Sequence, residues 1–254
     1  IIFMIMGKID FMSQNVYNNK VFFDKYSNMN RSIQGLKGAG EWHILKQILP
    51  TFKRKKVLDL GCGFGWHCQY AVENGASKVV GVDISTKMLK VAKKKTSKNI
   101  EYICDSIEEI MFTDHSFDII ISSLTLHYLS SFDDVVKKIY KWINDDGEFI
   151  FSVEHPIFTA YGTQDWHRDS EGQILHFPVD NYFTEGKREV NFLGERVIKY
   201  HKTLTTYLNT LIKNNFEITA VVEPQPSKKM LKAIKSMKDE LRRPMMLIVS
   251  AKKK

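Results

Sequence analysis

The chain has 254 residues, of which 43% are hydrophobic, and a formal net charge of +8. That size suits one α/β domain with decorations, or one domain and a lid. No apolar run approaches the ~20 residues that span a bilayer, and Cys62, Cys68 and Cys104, without Cys-x-x-Cys spacing, argue against a disulfide framework and a zinc site.

Three unpaired cysteines fit a reduced, cytoplasmic setting with no metal. The positive charge invites a nucleic-acid partner. Its lysines, however, sit at 53–56, 93–95 and 252–254: a loop, a helix end and a terminus. Solvated lysines are the plain reading at each place. In chain order, Met12-Ser13-Gln14-Asn15 reads as a natural start, so 1–12 is set aside as an added or alternative-start segment. Residues 13–50 read as an N-terminal lid, rich in aromatics at Tyr17, Phe22, Phe23 and Tyr26, followed by a short helix over 41–49 that Pro50 stops.

From 51 on, strand and helix patterns alternate. Strands are expected at 57–60, 78–83, 100–104, 117–122 and 148–154, with helices at 66–75, 85–95 and 133–144 between them. This implies a parallel sheet with right-handed crossovers. The alternation stops at His155-Pro156. The following stretch, 155–201, carries Phe158, Tyr161, Trp166, His167, His176, Phe177, Tyr182 and Phe183. A connection of that length is often a functional lid. Its strand patterns at 190–192 and 197–200 flank Leu193-Gly194, which suggests a hairpin. A helix over 203–214, a strand over 216–223, a helix over 227–241 and a strand over 245–251 complete the domain.

The stretch Val57-Leu58-Asp59-Leu60-Gly61-Cys62-Gly63-Phe64-Gly65 organises the rest. A buried strand runs into three glycines spaced two apart, and a helix follows. Glycines let the backbone come close to a ligand, and the helix start offers unpaired N–H groups. The spacing differs from the Gly-x-Gly-x-x-Gly that cradles pyrophosphate. Asp59 would repel a pyrophosphate but suits an ammonium group. Asp83, at the end of the second strand, stands where an acidic residue grips a ribose. A ligand with a ribose and an ammonium but no phosphate fits S-adenosylmethionine.

Here the chain resembles the class I S-adenosylmethionine-dependent methyltransferases, and most closely a bacterial small-molecule subgroup without an assigned substrate. The phrases GLKGAGEW, LDLGCGFGWH, SSLTLHY, FSVEHP and YHKTLTTYLNTLI carry the likeness from Gly35 to Ile212. The resemblance implies a Rossmann-like, seven-stranded, mostly parallel sheet with helices on both faces, the last strand inserted antiparallel, plus a lid insertion at 155–201 of a 51–254 domain. It implies S-adenosylmethionine as cofactor, with S-adenosylhomocysteine as product. Ligands in such sheets sit at the carboxyl ends of the strands. Asp59, Gly61, Gly63 and Gly65 are therefore assigned to the methionine part, with Arg31 for its carboxylate. Asp83 is assigned to the ribose, Ile84 and Met88 to the adenine faces, and Asp105, Ser106 and Ile107 to the adenine edge. Ser122, Ser123 and Leu124 are placed on the sulfonium side. His127, Glu154, His155 and His201 are the candidates for a base, should the acceptor need to lose a proton.

The expected partner is a small-molecule acceptor, on a monomer or homodimer. A nucleic-acid methyltransferase is the first alternative. Amino-methylating enzymes of that kind usually carry Asn/Asp-Pro-Pro-aromatic after the fourth strand, where this chain has Ser122-Ser123-Leu124-Thr125. A non-catalytic cofactor-binding module is the second. A dehydrogenase is disfavoured by Asp59 and the glycine spacing.

Overall fold

The structure is a computed structural model that describes residues 15–254, so the expectation for residues 1–12 lies outside it. The N-terminal segment is a 3-10 turn, Val16–Asn18, then helices α1 (Lys20–Ser27) and α2 (Asn30–Gln34), a second 3-10 turn, Gly35–Gly38, and α3 (Trp42–Ile48). The core follows as β1 (Lys56–Leu60), α4 (Trp66–Glu73), β2 (Lys78–Asp83), α5 (Thr86–Lys95), β3 (Ile100–Cys104), β4 (Phe117–Ser123), a 3-10 turn at Leu126–Tyr128, α6 (Phe132–Trp142) and β5 (Ile143–Glu154). The insertion holds α7 (Pro156–Ala160), a small hairpin of β6 (His167–Arg168) and β7 (Ile174–His176), and a longer one of β8 (Gly186–Phe192) and β9 (Glu195–His201). The chain then closes with α8 (Leu204–Lys213), β10 (Phe216–Val222), α9 (Lys228–Ala233), a 3-10 helix at Lys235–Arg242 and β11 (Met246–Lys253).

The seven-stranded sheet has the order β10-β11-β5-β4-β1-β2-β3. Six strands are parallel and β11 runs against them, as the resemblance implied. Alternation along each strand explains the two-sided core. Leu58, Leu60, Val80, Val82, Ile120, Phe149 and Phe151 face α6 and α8, whose Val136, Ile139, Tyr207 and Leu211 bury against them. Val57, Val79, Ile119, Ile121 and Ile150 face the other way, toward Leu45 of α3, Ala71 of α4 and Leu89 of α5. The helices start where side-chain caps dictate: Ser85, Ser131 and Thr203 each accept from a backbone N–H three residues on.

One expected helix, 227–241, is broken. Ile234 takes an extended conformation between α9 and the 3-10 helix. Neither piece buries a residue, so no apolar face holds the segment in one continuous helix. The aromatic rings of the N-terminal segment and of the insertion do meet. Phe22 is fully buried against Val190 and Val197, with its ring 5.7 Å from that of Phe192.

Candidate active site

A cavity of about 430 Å³ opens at the carboxyl ends of β1 to β5. Its floor is the glycine turn. A Cβ at Gly61 would lie 2.2 Å from the Thr125 hydroxyl, and one at Gly65 would lie 2.1 Å from the Tyr102 hydroxyl. Both positions also have positive φ, so packing and backbone together demand glycine. At Gly63 nothing lies within 4 Å of an added Cβ. That backbone faces open space, which a ligand can approach.

Asp83 binds the turn to the next loop. Its Oδ2 accepts the Gly63 N–H at 2.8 Å and its Oδ1 the Ser85 N–H at 2.8 Å. Burial raises its pKa, and the two backbone donors partly offset that. Ile84, Met88, Asp105, Ser106 and Ile107 continue the wall beyond it. Asp105 Oδ1 accepts the neighbouring Ser106 N–H at 2.7 Å. Leu124 also lines the cavity, in the left-handed region at φ 52°, where non-glycine residues are uncommon. Its N–H donates to the Ser152 carbonyl at 2.8 Å, which holds the strained turn in place.

Two assigned residues fall off this wall. Ser122 is fully buried and donates to the Leu60 carbonyl at 2.9 Å, stitching β4 to β1. The alternation of the strand leaves the cavity Ser123, its neighbour in the same assignment. Asp59 sits beneath the turn, its Oδ2 accepting from the Cys68 thiol at 3.2 Å and its Oδ1 buried without a partner. Arg31 does line the cavity. It is paired with Glu41, whose Oε1 takes a guanidinium N–H at 3.1 Å and the Ser123 hydroxyl at 3.3 Å.

A methyltransferase domain model matches residues 58–151. A candidate S-adenosylmethionine-dependent methyltransferase of Listeria monocytogenes has a crystal structure that superposes with a TM-score of 0.83. It is 55% identical over 87% of this chain and 99% of that one. An S-adenosylmethionine-dependent methyltransferase of Mesorhizobium loti superposes at 0.81, with 39% identity over 86% of this chain and all of that one. An uncharacterized Haemophilus influenzae protein is 34% identical over 94% of this chain and 97% of its own length. The chain belongs to the S-adenosylmethionine-dependent methyltransferases.

The residues present fit the cofactor of this methyltransferase. The open backbone at Gly63 is a cradle that any side chain would fill. The unpaired Asp59 Oδ1 is an acceptor of the kind an ammonium group seeks. Asp59 also makes the unliganded protein sensitive to pH. Burial pushes its carboxyl up to about 7, against ~3.9 in an unfolded chain. Between those values the folded methyltransferase keeps the proton and the unfolded chain has lost it. Stability is therefore expected to fall as pH rises from about 4 to 7. Asp59→Asn cannot ionise, so its urea midpoint should lack that part of the slope. An unchanged slope would place the titration elsewhere.

The four base candidates separate. His127 lines the cavity, and burial pushes it down to about 3, so it is neutral. Its Nδ1 accepts the Glu154 N–H at 3.4 Å, which leaves the ring proton on Nε2. Glu154 lines the cavity with both oxygens engaged, Oε1 by the Lys199 ammonium at 2.6 Å and Oε2 by the Gln164 amide at 2.7 Å. Burial opposes its ionisation, but the Lys199 ammonium and the bonds from Lys199 and Gln164 hold its pKa below the usual carboxylate range.

His155 and His201 are corrections, since neither lines the cavity. His155 caps α7, its Nδ1 accepting the Ile157 N–H at 3.1 Å and its Nε2 2.9 Å from Glu223. His201 donates from Nε2 to the Tyr182 carbonyl at 2.8 Å, so its Nδ1 accepts from the Thr159 hydroxyl at 2.8 Å. The His201 ring holds the insertion together, and the His155 ring caps α7 and faces Glu223, just past β10. Residue-by-residue reading missed Glu41, buried at the start of α3, and Trp66 and His67, which line the cavity just after the glycines. Their signal was present in the phrases GAGEW and GFGWH.

Proposed function

We propose that the protein transfers a methyl group to a small-molecule acceptor without a general base of its own. The observation that carries this is the state of the groups around the acceptor end of the cavity. Glu154 is ionised but committed to Lys199 and Gln164. His127 is neutral and offers a proton rather than taking one. Tyr17 and Tyr128 share a hydrogen bond at 3.1 Å, and burial raises both their pKa values, so they stay protonated.

Bound S-adenosylmethionine supplies a methyl group on a sulfonium, an excellent leaving group. What remains for the chain is to orient the nucleophile and exclude water. Aromatic walls at Tyr17, Tyr26, Tyr128, Phe192 and Tyr200 suit that task. The acceptor then reacts through a lone pair that is free at neutral pH: a weakly basic nitrogen, a thiolate, a phenolate or a carboxylate.

The test is a panel of such acceptors, with S-adenosylhomocysteine release followed against pH. For acceptors of differing acidity, the limb of the rate profile should move with the acceptor's own pKa. A limb that stays at one pH throughout would reveal an enzymic base and contradict the proposal.

The same proposal makes 15–40 and 155–201 the cover of the site. The N-terminal segment is held by Asn15 Nδ2 to the Ile84 carbonyl at 2.9 Å, by the Ser85 hydroxyl to Asn18 Oδ1 at 2.8 Å and by the Arg31–Glu41 ion pair at 3.1 Å. The β8–β9 hairpin is tied by a buried ion pair, Lys199 to Glu154. The two helices of the N-terminal segment are only 8 and 5 residues long, and helices that short are marginal on their own, so this is the part expected to move. In hydrogen exchange it should gain protection on adding S-adenosylhomocysteine, while the hairpin changes little. Equal gains in both would make the two a single lid.

A further inference from the structure

We infer that the methyl acceptor is an oxyanion, a carboxylate or a phenolate, and that the His127 Nε2–H and the Tyr128 hydroxyl hold it. The inference rests on the function proposed above and narrows it to one class of acceptor atom. Both residues line the cavity, side by side on the 3-10 turn after β4, with ring centroids 4.5 Å apart. His127 is 1% exposed. Its Nδ1 is turned to the Glu154 N–H, so the proton sits on Nε2. Among the described residues Nε2 has no partner, and it is not one of the unpartnered polar atoms sealed from solvent. It therefore opens to the cavity that the ring lines. Tyr128 accepts the Tyr17 hydroxyl proton at 3.1 Å, and its own proton has no acceptor among the described residues.

Two free protons on one wall select among nucleophiles. An amine has a single lone pair, which must face the methyl group. It cannot also accept hydrogen bonds, and its N–H groups would need acceptors. The carboxylate beside the two donors, Glu154, is already bonded to Lys199 and Gln164. Sulfur accepts hydrogen bonds only weakly. An oxyanion has one lone pair for the methyl carbon and others for the donors. Charge points the same way. Lys199 answers Glu154 at 2.6 Å. Lys202, 5% exposed, meets the carbonyls of Leu129 and Tyr200, two cavity residues, at 2.7 and 3.4 Å, with no carboxylate bonded to it among the described residues. Burial pulls it down to about 8, which leaves it protonated at neutral pH. A cation so placed favours an anionic guest. In the transfer the oxygen lone pair forms the O–C bond, the C–S bond breaks onto sulfur, and no proton leaves. The two donors hold the anion, orient it and keep it deprotonated.

Matched probes test this on the protein saturated with S-adenosylhomocysteine: benzoate and 4-nitrophenolate against benzylamine and aniline, followed by ligand-observed NMR. The wild type should bind at least one oxyanion and neither amine, and the oxyanion that binds separates carboxylate from phenolate. Tyr128→Phe and His127→Asn each remove one donor, and asparagine can keep the bond from the Glu154 N–H. Each variant should bind the oxyanion about tenfold or more weakly, as for a hydrogen bond to a charged group. A thermal melt and an S-adenosylhomocysteine titration verify that the variants fold. Oxyanion binding unchanged in both variants, or no oxyanion binding to the wild type, would overturn the inference. Amines bound in preference would overturn it too, while leaving the proposed function standing. If the wild type does not bind S-adenosylhomocysteine, the proposed function itself fails, and the inference with it.

Discussion

Asp83→Ala is expected to weaken S-adenosylhomocysteine binding by roughly 1.5–3 kcal/mol, about ten- to more than a hundredfold. Two effects combine. The ribose hydroxyls lose a charged acceptor. The glycine turn also loses its tie, because the same carboxylate holds the N–H groups of Gly63 and Ser85 at 2.8 Å each. Asp83→Asn should do little better. Only one of its two terminal atoms accepts, so one of those N–H groups would face an amide donor. Calorimetry, with a thermal melt to verify folding, checks both variants. Unchanged affinity in a folded Asp83→Ala protein would remove the ribose from the end of β2.

A larger effect on stability is expected at the hairpin. Lys199→Met should destabilise the protein by about 3–5 kcal/mol, the range for removing one partner of a buried ion pair. Lys199 and Glu154 have side chains only 3% and 17% exposed. Methionine keeps most of the lysine stem, so packing is largely preserved and the loss reports on the stranded carboxylate. Glu154 has a depressed pKa, so its contribution is present above the unfolded value near ~4.3 and lost as pH falls through the folded one. In Lys199→Met that acid-side loss should shrink. The double variant Lys199→Met, Glu154→Gln should recover much of the stability, since no charge is then left unpaired. Urea midpoints at pH 7 and pH 4 measure all of this. A Lys199→Met variant as stable as wild type would mean that the pair contributes nothing to closing the hairpin on the sheet.

Much of the fold is legible because it rests on local rules. The alternation in β1, β2, β4 and β5, the serine caps of α5 and α6 and the glycine turn each follow from a few neighbouring residues. The position of β11 does not. Its sequence would serve equally in a parallel strand, and only the resemblance implied its direction.

The site divides in the same way. Gly61, Gly63, Gly65 and Asp83 are fixed by the turn that contains them. Of Ser122 and Ser123, both assigned to the sulfonium side, strand alternation sends the first to the Leu60 carbonyl and only the second to the cavity. His155 and His201 looked poised because they flank the insertion. Their ring nitrogens instead meet Ile157, Thr159 and Tyr182 in hydrogen bonds and Glu223 at ion-pair distance, contacts that appear only once the insertion is packed. Glu41 was hidden for the opposite reason. An acid at the start of an amphipathic helix reads as a surface charge, and only the approach of Arg31 and Ser123 makes it a buried one.

The most direct test of the account is a crystal structure with S-adenosylhomocysteine. The ligand should lie across the carboxyl ends of β1 to β4, with its ribose hydroxyls on the Asp83 carboxylate, its adenine face on Ile84 and its adenine edge at Asp105, Ser106 and Ile107, and its chain running over Gly63 toward Arg31. A ligand elsewhere on the protein, or one in the cavity with its ribose away from Asp83, would contradict it.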